Sequence, residues 1–439
     1  MNLKEIKEIA MRAPQLGAQA EIFVMRSQSL SLQVSDQKLE NMDRKNTQGV
    51  GIRALVDGRM GFAFSTVLSK ESVEYTLRQA IENAKVTAPD QFNILPGKNV
   101  AIGEKETLAD VSFEEKLENL MLAERKAKDY DPRIVKVQRV GYSDSLAEIM
   151  IASSEGVEAE YTNSYYSAYV SSQAEEDGNV EMGTSYDVVR DFAKINFRNL
   201  GEESADKAVS MLGAKPIASE KLPVILDREV ATSVLEIVAD ILSARAVIKK
   251  KSLFENKLGT KVASPLITII DDGTLQDGVA TAIVDDEGVP TQRTVLIDSG
   301  ILTSYYHNSY TANRMGVAST GNGVRSGPSG TVGCGPTNIY IQPGVTSKEE
   351  MIDSLNRGLM ITDVMGLHTA NPISGDFSLG ASGFLIESGK LVRPVRGITI
   401  AGNLVDLLSR VVKVGSDLRM YGSSGAPTLL VDGLSIAGE

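Results

Sequence analysis

The sequence predicts an α+β protein: an N-terminal domain of duplicated helix–antiparallel-sheet units, and a mainly-β C-terminal domain with one long helix. Three observations carry this. Short alternating or apolar runs bounded by turn residues dominate the chain, while helical periodicity is confined to isolated stretches. The order helix–strands–helix occurs twice in the first half, with a period of about 110 residues. Single strands and helices do not alternate, so a doubly wound parallel sheet is not expected.

The elements follow in order. Residues 3–12 place Leu3, Ile6, Ile9 and Ala10 at helical spacing. Strand-like runs AEIFVMR, SLSLQVSD, GVGIRALVD and MGFAFST come next, with Asp57-Gly58 as a hairpin turn between the last two. A helix over 69–85 puts Val73, Leu77, Ala80, Ile81 and Ala84 on one face. After a connector around Pro89–Lys98 the order repeats. Ser112 and Glu115 form a capping-box pattern ahead of Leu117, Leu120, Met121, Glu124 and Ala127. Four strand runs then lead to a helix over 204–212. Gly213-Ala214-Lys215-Pro216 marks a boundary, giving domains 1–214 and 215–439. The second opens on LPVILD and one continuous helix, REVATSVLEIVADILSARAVIKKK, whose final lysines suit the negative end of its dipole. The rest reads as strand, apart from a helix over 348–359 capped by Ser347 and Glu350.

Composition bounds the function. The chain has 439 residues, 42% hydrophobic and 23% charged, which is ordinary globular composition of two to four domains. A net charge of −12 disfavours non-specific nucleic-acid binding. One cysteine, Cys334, excludes an internal disulfide and fits a reducing compartment. No apolar run approaches the ~18 residues of a membrane span, and the first twelve residues lack the apolar core of a signal peptide. A cytoplasmic protein without membrane contact is expected. Two histidines, His307 and His368, stand 61 positions apart, so no HExxH pattern exists.

Other candidate chemistry has a plainer explanation at hand. The segment 321–335, GNGVRSGPSGTVGCG, holds six glycines in fifteen residues, and its backbone amides could cradle an anion or a peptide. It matches neither nucleotide-binding pattern, and a mobile surface loop is the expectation, with a lid or partner-ordered segment as the second reading. Asp271-Asp272 and Asp285-Asp286-Glu287 could collect a hard cation, but each precedes glycine as turn residues do. Glu236 and Asp240 lie one helical turn apart and could serve acid–base work if they line a cleft, but a solvated helix face explains the spacing. Cys334 has no neighbouring base in sequence beyond Arg325 and reads as an incidental thiol.

The C-terminal third carries a more specific signal. The blocks HNSYTANRMGVASTGNG, GPTNIYIQPG and GLMITDVMGLHTANPISGDFSLGASGFLIESGK, with QVSDQKLENMDRKNTQGVGIRALVDGRMGFAFS upstream, closely resemble the TldD/PmbA family, which also carries the name modulator of DNA gyrase. The resemblance covers essentially the whole chain. It implies a heteromeric peptidase cleaving small or unfolded peptides, in peptide maturation and proteolysis. In the TldD branch a helix bears a zinc motif HExxxH, and a cysteine follows near the C-terminus. Here Glu236 stands at the family glutamate, while Leu235 and Asp240 replace the two histidines, and RMYGSSGAPTLLVDGLSIAG has no cysteine. The resemblance therefore implies the TldE/PmbA branch, with no metal or catalytic residue of its own. Zinc is expected in a TldD-like partner, with a homodimer possible when the chain is alone. His307, Asn322, His368 and Asp376, within the resembling blocks, are the candidate substrate-binding residues. The alternative is a non-enzymatic protein that binds DNA gyrase or another protein partner. A third reading, an independent hydrolase, would gather Glu236, Asp240 and a histidine around another metal.

Overall fold

A computed structural model describes residues 1–438; the side chain of His368 lies outside the described residues. Helix α1 (Leu3–Ala10) starts at Asn2, which exchanges capping hydrogen bonds with Glu5, and buries Ile6, Ile9 and Ala10. Strands β1 (Gln19–Ser35), β2 (Lys38–Val56) and β3 (Arg59–Ser65) form a meander closed by α2 (Lys70–Val86). Asp57 and Gly58 take φ of 47° and 74°, the left-handed pair that a tight hairpin requires. The short strand β4 (Asn99–Ile102) precedes the second unit: α3 (Phe113–Lys128), β5 (Ile134–Ser153), β6 (Val157–Glu176), β7 (Asn179–Val189) and α4 (Phe197–Ser210).

Both units share one sheet. β1 pairs with β5 antiparallel from Glu21–Ser153 to Val34–Val140, giving the order β3-β2-β1-β5-β6. β7 and β4 lie along different lengths of the β6 edge. The duplication extends to packing. A Cβ at Gly61 of β3 would sit 2.1 Å from the Ala80 carbonyl oxygen of α2, and one at Gly183 of β7 would sit 2.1 Å from that of Ser204 of α4. Each unit thus seats its closing helix on a strand glycine.

The C-terminal half is mainly β. In one six-stranded sheet, β8 (Glu220–Leu226) lies between strand Arg357–Met365, parallel to it, and Leu429–Ala437, antiparallel. The other six-stranded sheet contains β9 (Ile269–Asp272), Ile339–Ile341 and Ser424–Ala426. Helix α5 (Arg228–Ile241) packs against strands of both sheets, and Val230, Val234, Leu235, Val238 and Ile241 join their common core.

Four local expectations change. The long helix breaks: α5 stops at Ile241 and α6 (Ala244–Ile248) begins after Ser243, which forms a parallel bridge with Tyr306. The Ala244 amide donates to the Tyr306 carbonyl at 3.2 Å and that of Tyr306 donates to Leu242 at 3.3 Å, so a tertiary strand contact replaces the helical ladder. The helix over 348–359 ends at Asp353, because Leu359–Ile361 pair with Val224–Leu226 of β8. The helix expected over 204–212 starts earlier, at Phe197, capped by Asn196. Two further helices appear, α7 (Ser309–Met315) and Leu404–Ser409; α7 has an Asn308–Thr311 capping box and a left-handed Gly316.

Candidate functional site

Two successive surfaces of α5 define the first candidate region. Leu235 is 1% exposed and packs in the core, whereas Glu236 and Asp240 are exposed on the other side. Positions 235 and 240 are separated by roughly 140° around a helix, so side chains there point apart. Although both side chains reach solvent, the surrounding protein partly desolvates their carboxyl groups, which raises the pKa of Glu236, with Ser424 opposing and the Asp240 charge adding, and raises that of Asp240 as well. The N-terminal half borders this face. Arg419 pairs with Asp187 at 3.0 Å and Glu203 at 3.3 Å, Lys207 pairs with Glu229 at 2.7 Å, and the rings of Tyr186 and Tyr421 lie 5.7 Å apart. Burial, with the charges of Glu229 and Glu236, pushes the Tyr186 hydroxyl up to about 12.

These donors do not fit a catalytic zinc ion. Leucine offers no ligand, two carboxylates are a weak set for a borderline-soft cation, and the adjoining Ser423 and Ser424 provide hydroxyls rather than a thiolate. Among the described residues, no three His, Cys, Asp or Glu side chains converge as a metal site would require.

The second region is the glycine-rich segment, which packs into the protein where a surface loop was expected. Gly323–Val324 pairs with Gly333–Cys334, and the segment wedges between the two halves of the chain. A Cβ at Gly51 of β2 would lie 2.2 Å from the Pro328 carbonyl oxygen, so the sheet glycine admits the segment's backbone. Asn322 is fully buried: it donates to Asp271 at 2.7 Å and to the Gly335 carbonyl at 3.0 Å, and accepts from Thr320 at 2.6 Å. His307 is 4% exposed, and its carbonyl accepts from the Thr320 and Asn322 amides. Its Nδ1 has no partner among the described residues, and burial lowers its pKa to about 4. His307 and Asn322 are thus brought together, but inside the protein. Asp376 stands apart and exposed, accepting from Asn403 at 3.0 Å, which lowers its pKa. The His368 side chain lies outside the described residues.

Sequence reasoning missed a buried charge network at this wedge. Arg53 of β2 donates to Glu21 of β1 at 2.5 and 3.1 Å and to Glu287 at 2.8 Å. The Arg325 guanidinium also pairs with Glu21 and lies 4.9 Å from the centre of the Phe23 ring. Glu287 accepts the Ser309 amide at 2.7 Å, and Asp286 accepts that of Arg325 at 2.7 Å. The acidic turns do make turns: Asp272 accepts from Thr274, and Asp285 from Glu287 and Val289. Yet Asp271, Asp285 and Glu287 are buried rather than solvated. An arginine inside the apolar run GVGIRALVD was the available signal, since a charge on a core-facing strand needs a buried partner.

The family model for the PmbA/TldA metallopeptidase C-terminal domain matches residues 219–438, that for the central domain 106–212, and that for domain 1 20–84. The chain belongs to the PmbA/TldD metallopeptidase family. Relatives within it include the metalloprotease PmbA homolog of Haemophilus influenzae, 29% identical across 98% of this chain and 94% of that protein. A metalloprotease of Methanocaldococcus jannaschii is 30% identical across 96% and 94%. Among solved PmbA/TldD-type structures, a Thermotoga maritima protein named for a proposed modulation of DNA gyrase aligns with a TM-score of 0.90 at 30% identity, covering 99% of each chain. TldE from Thermococcus kodakarensis shares the fold, with a TM-score of 0.89 at 24% identity over 99% and 100%.

Proposed function

We propose that this chain is a metal-free, TldE/PmbA-like subunit of a TldD/TldE-type zinc metallopeptidase acting on small or unfolded peptides in the cytoplasm. The observation that carries the reading is α5, where a buried Leu235 and an outward Asp240 occupy the positions at which the catalytic branch has histidines. Zinc and the hydrolytic step belong to a TldD-like partner. This chain binds that partner and helps hold the peptide; an extended substrate can add to a sheet edge through main-chain hydrogen bonds. The named metalloprotease relatives support the peptidase assignment. The test is cleavage of an unfolded peptide by the purified chain with zinc, with and without a TldD-like partner. Activity is expected only with the partner, and robust cleavage by the lone chain would refute the division of labour.

The gyrase name of the Thermotoga neighbour favours a second reading, a non-enzymatic protein that binds gyrase. The charge of −12 argues against direct DNA contact but not against a protein target. Co-purification from the native cell separates the two: recovery of gyrase without a TldD-like protein would favour the second.

A further inference from the structure

At the junction of the two halves, two depressions run together and share Asn93 and Tyr310 as walls. The inner one encloses about 450 Å³ and the outer, more open one about 810 Å³. Connector residues 88–94 form one side, and α6 and α7 supply much of the other. The inner depression combines apolar surface from Phe62, Ile94, Ile248 and Val332 with four cationic side chains, Arg53, Arg245, Lys249 and Arg314. Among the described residues no carboxylate lines it; Asp90, in the outer depression, is tied to the Tyr310 hydroxyl at 2.8 Å.

The cations differ in their engagement. Arg53 is matched by Glu21 and Glu287. Arg245 of α6 and Lys249, which caps its C-terminal end, sit one turn apart, both exposed, and neither makes an ion pair among the described residues. Arg314 donates to the Tyr310 hydroxyl at 2.9 Å and lies 5.4 Å from the centre of the Phe92 ring, again with no ion pair among the described residues. Arg245 and Lys249, without carboxylate partners among the described residues, and Arg314, only partly offset by Asp90 across the Tyr310 hydroxyl, line one groove in a chain of net charge −12, where they repel one another and attract anions. A bare inorganic anion would leave the apolar wall and the outer depression unused. An extended chain carrying carboxylates between apolar side chains would satisfy both surfaces.

We propose that this groove binds an acidic, apolar-containing extended peptide as substrate of the assembled peptidase, with carboxylates over Arg245, Lys249 and Arg314. The proposal rests on the subunit reading above and deepens it by naming a substrate class.

Calorimetric titration of the full chain tests it. The probe is a short unstructured peptide with two glutamates spaced among leucines and serines, acetylated and amidated so that only side chains carry charge. Its counterpart has glutamine for each glutamate. The acidic peptide is expected to bind at least about tenfold more tightly at low salt, with the preference shrinking as salt rises. The exposed double variant R245E/K249E is expected to abolish that preference while its thermal unfolding stays near wild type. Equal affinity for the two peptides, an unchanged preference in R245E/K249E, or inorganic phosphate binding as tightly as the acidic peptide would each overturn the groove proposal. Partner-dependent cleavage of a neutral unfolded peptide is the separate readout of the subunit reading: its persistence alongside a failed charge preference would remove the groove alone.

Discussion

At the scale of single residues, burial decides what each titratable group can do. His307 is neutral when folded, with its pKa lowered from near 6.5 to about 4, because its ring is buried and Nδ1 finds no partner among the described residues. The unfolded chain takes up a proton below about pH 6.5 and the folded chain only below about 4, so acidification across that window favours unfolding. The His307 contribution is complete above pH 6.5 and lost as pH falls towards 4, amounting to about 3 kcal/mol. Asp286 works in the opposite sense: burial raises its pKa to about 6, so between its unfolded value and 6 the folded state binds the proton first. The clean measurement is therefore the difference in unfolding free energy between wild type and His307→Gln. It is expected to fall by about 3 kcal/mol between pH 6.5 and 4, and a difference flat in pH would show that the ring is protonated in place. Glu236→Gln is the matching test on activity. If this chain is the metal-free subunit proposed above, Glu236 has no metal-bound water to deprotonate, and the peptidase assembled with its partner should keep most of its cleavage rate in this variant. A large loss with the complex intact would contradict the proposed division of labour.

At the scale of elements, the two N-terminal units make the same packing decision at Gly61 and Gly183. Gly61→Ala would drive a methyl into the α2 backbone at Ala80, and Gly183→Ala would do so in α4 at Ser204. Each is expected to cost about 1–3 kcal/mol, read from chemical denaturation, because neither helix backbone can yield without lifting its apolar face from the sheet. A neutral result at either site would mean that the helix shifts freely. Local chemistry made these units legible: Asp57-Gly58 fixes its hairpin, and Ser112 accepts from the Glu115 amide at the start of α3. Glu124 shows where local reading ran out. It fits the helical spacing of α3, yet its carboxylate accepts the Asp36 and Gln37 amides at 2.8 and 2.7 Å and so secures the β1–β2 turn, a contact spanning 88 positions. The break after α5 was hidden for the same reason, since Tyr306, far along the chain, takes over the backbone pairing at Ser243. In the candidate site, the identities of Leu235, Glu236 and Asp240 were readable. The groove and the buried wedge were not, because their walls come from segments that only tertiary folding brings together.

At the scale of the whole molecule, the wedge of residues 321–335 and the Arg53 network join the two halves, and this has a measurable consequence. Arg53 and Glu21 lie on the N-terminal sheet, Glu287 and Arg325 in the C-terminal half, and their side chains are at most 8% exposed. Desolvating four charges is costly in itself, so the network specifies how the halves meet more than it adds net stability. Removing one member is another matter, because it strands a charge with little access to water. In Arg53→Met, Glu21 keeps Arg325 but Glu287 retains, among the described residues, only the Ser309 amide. The expected loss is about 3–5 kcal/mol, larger than surface ion pairs such as Lys85–Glu82 would give. Calorimetry provides a second readout. If the network couples the halves, wild type unfolds in one transition and Arg53→Met in two, the N-terminal sheet parting from the C-terminal sheets. Salt separates this from an ordinary surface effect: raising ionic strength should barely change the stability difference between wild type and Arg53→Met, since these pairs are shielded from counter-ions. A stability difference that salt erases would place the network in contact with solvent and remove it as the link between the halves.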